Sequence, residues 1–168
     1  MGEKDMILVG LKQAMQAEVD GHNFYKMAAN STGDDQGKEV FNQLAKDEVD
    51  HYTFLKAQYE SFAKDGKPNM NVRLGQPSNN TDSPIFSENF KERLQDAHYE
   101  MTALSIGVQL ELSAINFYKA ESAKYSDPTV KKFYADLAEW ESTHYHMLLK
   151  QQEELKEDYW RDSNFYPF

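Results

Sequence analysis

The chain repeats itself at an offset of 93 residues, and this repeat restricts the possible folds more than any other feature of the sequence. The tetrapeptide Asn-Phe-Tyr-Lys at 23–26 returns at 116–119, and the dipeptide Leu-Ala at 44–45 returns at 137–138. Two copies of one unit are expected to pack about a pseudo-two-fold axis, because each has the same apolar face to bury. Matching residues of the two halves would then face each other across the core.

Four segments of the chain carry apolar residues at the spacing of an α-helix. These segments cover about 4–30, 36–63, 88–125 and 128–158. Gly66 and Pro68 follow the second segment, as expected just beyond the end of a helix. Asp127 and Pro128 supply a capping residue and a first-turn proline for the fourth segment. Each half of the repeat therefore predicts one helical hairpin.

The stretch from Lys67 to Ser87, between the two hairpins, is rich in Asn, Pro and Ser and has no helical period. A tight turn does not need that length, whereas a crossover along the side of a four-helix bundle does. The predicted fold is all-α, a four-helix bundle of two duplicated hairpins joined by a long crossover. This single domain over 1–168 would comprise hairpins at about 4–64 and 88–158, a crossover at about 65–87 and an irregular aromatic tail at 159–168.

A Glu-x-x-His motif occurs once in each half, at 48–51 and 141–144, and in each half another glutamate lies 30 residues before it. Three residues along a helix turn about 300°, so both side chains of a motif project from one face. One such motif is commonplace on a solvated helix, but two copies at matched spacing on apolar faces predict a shared site. Its six candidate metal ligands are Glu18, Glu48, His51, Glu111, Glu141 and His144.

Four glutamates in a bundle core need compensating positive charge, because unpaired buried charges are heavily penalised. Two divalent cations would neutralise them together, and imidazole with carboxylate but no thiolate suits iron, manganese or zinc. The chain contains no cysteine, which excludes disulfides, thiolate sites and iron–sulfur clusters. The net charge of −10 argues against nucleic-acid partners and anionic membranes. The charged N-terminal residues show no signal peptide and no segment is long enough to span a bilayer, so we expect a cytoplasmic protein.

The six-residue set resembles the ligands of the ferritin-like superfamily, and rubrerythrin-like proteins and bacterioferritins are the most similar. The resemblance covers about residues 4–156 and implies a ferritin-like bundle that holds two iron ions, two glutamates being able to bridge them. Rubrerythrins usually carry a further glutamate one turn after the third-helix ligand, where this chain has Ala114. Bacterioferritins place a haem-binding methionine after the second-helix glutamate, where this chain has Val49. A haem is therefore not expected, and the rubredoxin domain common in rubrerythrins is absent.

The resemblance also implies roles for residues around the metals. Tyr25 and Tyr118 lie two helical turns beyond a ligand glutamate, and tyrosines in rubrerythrin-like proteins lie near the irons, where they can bond a carboxylate or serve in redox chemistry. A core tyrosine with a buried polar partner is an equally good interpretation. Asp47 corresponds to an acid that supports the histidine of the opposite hairpin, here His144. Its repeat counterpart is Trp140, which cannot accept a hydrogen bond, so the two metal positions would differ.

The function implied is a di-iron redox protein that reduces hydrogen peroxide or dioxygen in oxidative stress, with an external electron donor. The alternatives are a ferroxidase of the ferritin type without peroxidase turnover, a di-iron oxygenase, and a structural bundle whose site is filled incidentally. The aromatic tail and the exposed length of the bundle favour a homodimer. His22, His98 and His146 do not follow the repeat and are interpreted as ordinary surface or core-edge histidines.

Overall fold

The computed structural model describes residues 2–76, 83–92 and 97–162, which form five helices and no strand. The helices are α1 (Glu3–Ser31), α2 (Asp35–Asp65), α3 (Glu88–Lys91), α4 (His98–Lys124) and α5 (Pro128–Asp162). α1 packs along α2 and α4 packs along α5, while α1 also contacts α4. The all-helical bundle predicted from the repeat is confirmed. No helix within these ranges has a stretch long and apolar enough to cross a bilayer.

Side-chain caps and a glycine define the ends of the helices that carry the two motifs. The carboxylate of Asp34 accepts a hydrogen bond from the backbone N–H of Gly37 at 2.8 Å, which caps the start of α2. α2 ends at Gly66, whose φ of 67° is the left-handed conformation that glycine adopts most easily. Asp127 accepts from the backbone N–H of Thr129 at 2.7 Å at the start of α5, as its sequence position predicted.

Two clusters of buried apolar side chains form the core. Tyr25 and Leu148 belong to one cluster, and Tyr118 and Leu137 belong to the other, and all four side chains are inaccessible to solvent. Each tyrosine hydroxyl donates to a buried glutamate, so the two apolar clusters flank a polar layer at the middle of the bundle. The core therefore surrounds the charged side chains on both sides and holds them away from water.

The crossover lies against α2 and α5, as the bundle prediction requires. Ile85 and Phe86 are buried, and the backbone N–H of Ile85 donates to the side-chain oxygen of Gln151 on α5 at 2.6 Å. Phe86 fits over Gly37 on α2, where a Cβ atom would lie only 2.6 Å from the phenylalanine ring. Gly37 therefore makes the space in which the crossover is anchored.

The start of the second hairpin differs from the sequence prediction, because the short helix α3 precedes α4 and α4 begins only at His98. Ser87 binds Asp34 through both its backbone N–H and its hydroxyl, which attaches the start of α3 to the first hairpin. Phe90 is buried in the core and stacks on Phe86 with ring centroids 4.3 Å apart. These contacts hold α3 against the first hairpin and the crossover.

The end of α5 also differs from the prediction. The tail expected to be irregular over 159–168 is helical as far as Asp162. Arg161 pairs with Asp158 one turn earlier at 2.5 Å, an i,i+3 contact that stabilises the last turn. Residues 163–168 of the predicted tail lie outside the described residues.

Candidate metal centre

The six predicted ligands come from the four long helices and meet in the core. They form two groups, one of Glu18, Glu48, His51 and Glu141, the other of Glu48, Glu111, Glu141 and His144. Within each group, one potential ligand atom from every residue lies within 4.8 Å of the others, and every member is at most 5% exposed. Glu48 and Glu141 belong to both groups, so they are placed to bridge two ions.

Both histidines direct Nδ1 toward the carboxylates. In the first group Nδ1 of His51 lies 3.3 Å from Glu18 and 3.1 Å from Glu141. In the second group Nδ1 of His144 lies 3.4 Å from Glu141 and 3.6 Å from Glu111. The pseudo-two-fold arrangement expected from the repeat therefore extends to individual ligand atoms.

Burial and mutual repulsion raise the pKa values of two of the carboxylates, whereas the two histidines lower the pKa of a third. Burial, reinforced by repulsion from Glu141, raises the pKa of Glu48 well above its ordinary value. Burial likewise raises the pKa of Glu111 to about 7. The pKa of Glu141 is lowered, because the attraction of His51 and of His144 outweighs its burial. Burial alone would lower the pKa of His51, but the charge of Glu141 raises it to about 10.

Unpaired ligand atoms test whether these residues fit a metal centre. Among the described residues, Oε1 of Glu48, both carboxylate oxygens of Glu141 and Nδ1 of His144 are buried and make no hydrogen bond. An unsatisfied buried polar atom costs about 1–3 kcal/mol, and more when it is charged. Cations at the two groups would satisfy these atoms, and the carboxylate and imidazole donors suit iron, manganese or zinc. The residues fit a two-metal centre.

Each of the two predicted tyrosines belongs to one hairpin and contacts a glutamate of the other hairpin. The hydroxyl of Tyr25 on α1 donates to Oε1 of Glu111 on α4. The hydroxyl of Tyr118 on α4 donates to Oε1 of Glu18 on α1. Burial is the main cause that raises the pKa of both phenols, and the neighbouring glutamates add to it. Each tyrosine is therefore a neutral donor that orients the glutamate of the opposite half, Glu111 or Glu18, that belongs to one group only.

The contacts of the two histidines on the side away from the carboxylates differ between the halves. Asp47 lies 3.1 Å from Nε2 of His144, the contact expected from the family resemblance. Trp140, at the equivalent position, instead places its ring edge-on to His51 with centroids 5.0 Å apart. The indole N–H donates to the carbonyl of Gly75 in the crossover at 2.7 Å. Nε2 of His51 is buried and makes no hydrogen bond to the part of the chain described.

A pocket of about 430 Å³ between α1 and α4 reaches the centre. Glu18, Glu48 and Glu111 lie on its inner wall, and Ala114 lines it where rubrerythrins usually have a glutamate. Gly21 also lines it, and a Cβ atom there would lie 2.9 Å from Oε2 of Glu48. The small side chain at 114 leaves open a space that a longer one would fill.

The role of Gly21 as the contact surface of Glu48 was not found from the sequence. The sequence could have indicated this contact, because Gly21 follows Glu18 by three residues and so lies on the same face of α1. His22 binds the carbonyl of Ala45 through Nδ1 at 2.7 Å, and neither it nor His146 belongs to the two ligand groups among the described residues.

A helical bundle of paired hairpins with carboxylates and imidazoles at its centre defines the ferritin-like class of proteins. Within that class the chain belongs to the Rubrerythrin family, whose family model matches residues 10–152. No curated protein and no solved structure matched the chain.

Proposed function

We propose that this protein is a di-iron redox protein that reduces hydrogen peroxide or dioxygen. The observation that carries the proposal is the pair of ligand groups that share Glu48 and Glu141, with buried oxygens that make no hydrogen bond to the described residues. Membership in the Rubrerythrin family supports iron as the metal. Manganese fits the same donors, and zinc does too but has no redox chemistry.

Each residue of the site has a distinct task in this proposal. Glu48 and Glu141 would bridge the two ions, while Glu18 with His51 and Glu111 with His144 would complete one position each. When bound, iron supplies two electrons by passing from the ferrous to the ferric state at both positions. Carboxylates suit this change because they compensate the added positive charge.

The hydrogen bonds around the ligands orient them before any reaction. Tyr25 and Tyr118 hold one oxygen of the non-bridging glutamates and leave the other oxygen for a metal. Asp47 holds Nε2 of His144, which leaves Nδ1 as the ligand atom. The pocket beside Ala114 is the proposed route by which a small oxidant reaches the centre.

The proposal includes an external electron donor, since the chain has no cysteine and so no rubredoxin-type iron site of its own. It also includes a homodimer in the cytoplasm and a role against oxidative stress. Exposed apolar side chains on α1 and α4 support the homodimer: Met27 is 53% exposed and Ile106 is 44% exposed.

The experiment is anaerobic loading with ferrous iron, followed by separate stopped-flow mixing with hydrogen peroxide and with dioxygen. The proposal predicts two irons per chain and rapid growth of ferric absorbance with at least one oxidant. Faster oxidation by peroxide favours the peroxidase reaction, and faster oxidation by dioxygen favours the ferroxidase. Failure to bind two metals would overturn the proposal.

Variants of the shared ligands complete this experiment. Glu48→Ala and Glu141→Ala should each lose metal from both positions, because each removes a ligand common to the two groups. Glu100→Gln is the matched control, since Glu100 is also a buried glutamate but accepts its hydrogen bond from Thr32 at 3.0 Å, outside both groups. Unchanged iron binding in Glu48→Ala and Glu141→Ala would contradict the assignment.

A di-iron oxygenase is the second candidate, and the pocket of about 430 Å³ at Ala114 favours it. A pocket of this size is large enough for a small organic substrate. Small alkylphenols are suitable probes for such an apolar pocket. Transfer of labelled oxygen from dioxygen into the phenol would favour the oxygenase, and recovery of unchanged phenol after full iron oxidation would exclude that reaction for this class of substrate.

A further inference from the structure

Three tyrosine rings form a continuous stack that begins at the metal centre. The hydroxyl of Tyr118 donates to Glu18, and its ring stacks on that of Tyr134 with centroids 6.1 Å apart and planes 29° from parallel. Tyr134 stacks in turn on Tyr125, with centroids 5.9 Å apart and planes 20° from parallel. All three side chains are at most 2% exposed. The stack therefore leads from a metal ligand through the core to the end of α4.

A buried carboxylate lies at the outer end of the stack. The hydroxyl of Tyr125 donates to Oε2 of Glu121 at 2.5 Å, and Glu121 is only 1% exposed. Its other oxygen binds the ammonium of Lys124, whose side chain is 49% exposed. Gly10 makes room for this arrangement, because a Cβ atom there would come within 3.1 Å of the hydroxyls of both Tyr125 and Tyr134. The stack thus ends at a proton acceptor close to solvent.

The equivalent stack in the other half contains no second tyrosine. Tyr25 stacks on Phe41 with centroids 6.4 Å apart, and Phe41 meets Phe86 edge-on at 6.0 Å. Phe41 occupies the repeat position of Tyr134. A phenylalanine ring has no hydroxyl proton to release and is much harder to oxidise than a phenol. Among the described residues, a stack of tyrosine rings therefore continues from Tyr118 and not from Tyr25.

We propose that Tyr118, Tyr134 and Tyr125 form a relay that carries electrons one at a time from the end of the bundle to the metal centre. This relay rests on the proposed function and selects dioxygen as the oxidant that needs it. Reduction of dioxygen to two waters takes four electrons and four protons, and two ferrous ions supply two of the electrons. The relay supplies the third and the fourth, and the protons come from solvent.

Each transfer through the relay balances. Tyr118 gives one electron to the centre and its phenolic proton to Glu18. An electron from Tyr125, passed through the ring of Tyr134, then reduces Tyr118, which takes its proton back. Tyr125 is left as a neutral radical, and its phenolic proton moves to Glu121. A one-electron carrier in solution reduces this radical, and the proton returns, so that one electron has passed from the carrier to the centre.

The hydrogen bonds fit these assignments. A phenol that loses an electron must also release its proton, and the two end members of the stack each donate to a carboxylate. The hydroxyl of Tyr134 has no carboxylate partner among the described residues and lies near the hydroxyl of Tyr125, and burial together with this neighbour raises its pKa. With no carboxylate to take its proton, the ring of Tyr134 is not oxidised itself but bridges the transfer between Tyr125 and Tyr118, and the radical comes to rest at Tyr125.

The test uses the full chain loaded with ferrous iron, mixed with excess dioxygen without a reductant and frozen rapidly for electron paramagnetic resonance. The expected result is a tyrosyl radical signal whose hyperfine structure collapses when the tyrosine rings are deuterated. In the conservative variants Tyr134→Phe and Tyr125→Phe the oxidation cannot come to rest at Tyr125, so the parent signal should be lost and any remaining radical should lie at Tyr118, with a different hyperfine pattern. Both variants should keep two irons per chain and the growth of ferric absorbance, since neither residue touches a ligand.

Tyr59→Phe is the matched control, because Tyr59 is a partly buried tyrosine outside the stack, and its radical yield should equal that of the parent chain. A parent chain with normal ferric absorbance and no radical would overturn the relay alone, as would a signal unchanged in Tyr134→Phe and Tyr125→Phe. Absence of ferric absorbance in the parent would overturn the proposed function and the relay with it.

Discussion

The half of the centre built on Glu18 and His51 and the half built on Glu111 and His144 have the same inner residues and different surroundings. Both offer a glutamate, a histidine Nδ1 and the shared pair Glu48 and Glu141, and both receive a tyrosine hydroxyl from the opposite half. The repeat therefore preserves the residues that could bind a metal and the donors that touch them. The residues that contact the histidines and the tyrosines from outside differ between the halves.

The residues that surround the six candidate ligands differ between the two halves. His144 is held by the carboxylate of Asp47, whereas Nε2 of His51 has no partner among the described residues and faces Trp140. The Tyr118 side continues into further tyrosines, and the Tyr25 side continues into phenylalanines. Ligand identity is thus symmetric, while histidine support and oxidisable neighbours are not. Three measurements can break or sharpen this comparison.

The largest expected effect is a loss of stability of the metal-free protein as pH rises, in a lower pH window where Glu111 titrates and an upper window where His51 titrates. Burial would lower the pKa of His144, but its hydrogen bond with Asp47 raises it, so both halves contribute to the upper window. Glu111 has a pKa raised from 4.5 to about 7, and His51 has a pKa raised from 6.5 to about 10. Within each window the folded state binds more protons than the unfolded state, so the free energy of unfolding falls as pH rises. The loss should be on the order of 3 kcal/mol for Glu111 and 5 kcal/mol for His51, at about 1.4 kcal/mol per pKa unit.

Denaturant unfolding of the metal-free protein between pH 5 and 10 measures this effect. Glu111→Gln should flatten the dependence in the lower window, and His51→Gln should flatten it in the upper window. Stability that rises with pH in either window would contradict the direction of the pKa shift of the residue that titrates there. Bound metal should remove much of the loss, because the cation replaces the proton as the partner of the carboxylates.

The next effect is a difference in metal affinity between the two proposed metal positions. Asp47→Asn removes the carboxylate that holds His144, and loss of such a support lowers metal affinity by about 10–100-fold. Only the position of Glu111 and His144 should weaken, so a titration against a chelator should resolve one strong and one weak site. Trp140→Phe is the comparison variant and should leave both affinities within about 2-fold, since the indole binds Gly75 and not His51. Equal weakening of both sites in Asp47→Asn would show that the halves do not act separately.

The smallest effect tests the symmetry of the tyrosines. Tyr25→Phe and Tyr118→Phe each leave one buried glutamate oxygen without its donor. Each should lower the free energy of unfolding of the metal-free protein by about 1–3 kcal/mol. The two losses should agree within about 0.5 kcal/mol, as chemical denaturation can measure. A larger difference would show that the differing surroundings of the two halves change the strength of the hydrogen bonds to Glu18 and Glu111.

The sequence was sufficient to predict the bundle and the six clustered residues, because a repeat constrains long-range contacts that periodicity alone cannot. Glu18 and Glu111 are 93 residues apart, and only the duplication placed them opposite each other. The contact of Asp47 with His144 was expected from the family resemblance and is present in the structure. Its effect on metal binding stays a prediction, as do the metal-binding roles of all six residues.

Other features depend on packing that no local pattern encodes. The stack of Tyr118 on Tyr134 requires the relative rotation of α4 and α5, and the approach of Glu48 to Gly21 requires the spacing of α1 and α2. The helical end of α5 was also missed. There the sequence composition suggested an irregular tail, while the i,i+3 pair of Arg161 and Asp158 extends the helix to Asp162.

Asp47 and Trp140 occupy equivalent positions of the repeat, and this difference shows how the two halves of a duplicated chain can evolve separately. If two identical hairpins associated as separate molecules, any substitution would appear at both symmetry-related positions at once. A dimer of the first hairpin would support both histidines with aspartate, and a dimer of the second would support neither. Covalent linkage of the two hairpins by the crossover lifts this restriction. One copy can keep the supporting acid while the other evolves new neighbours for its metal position.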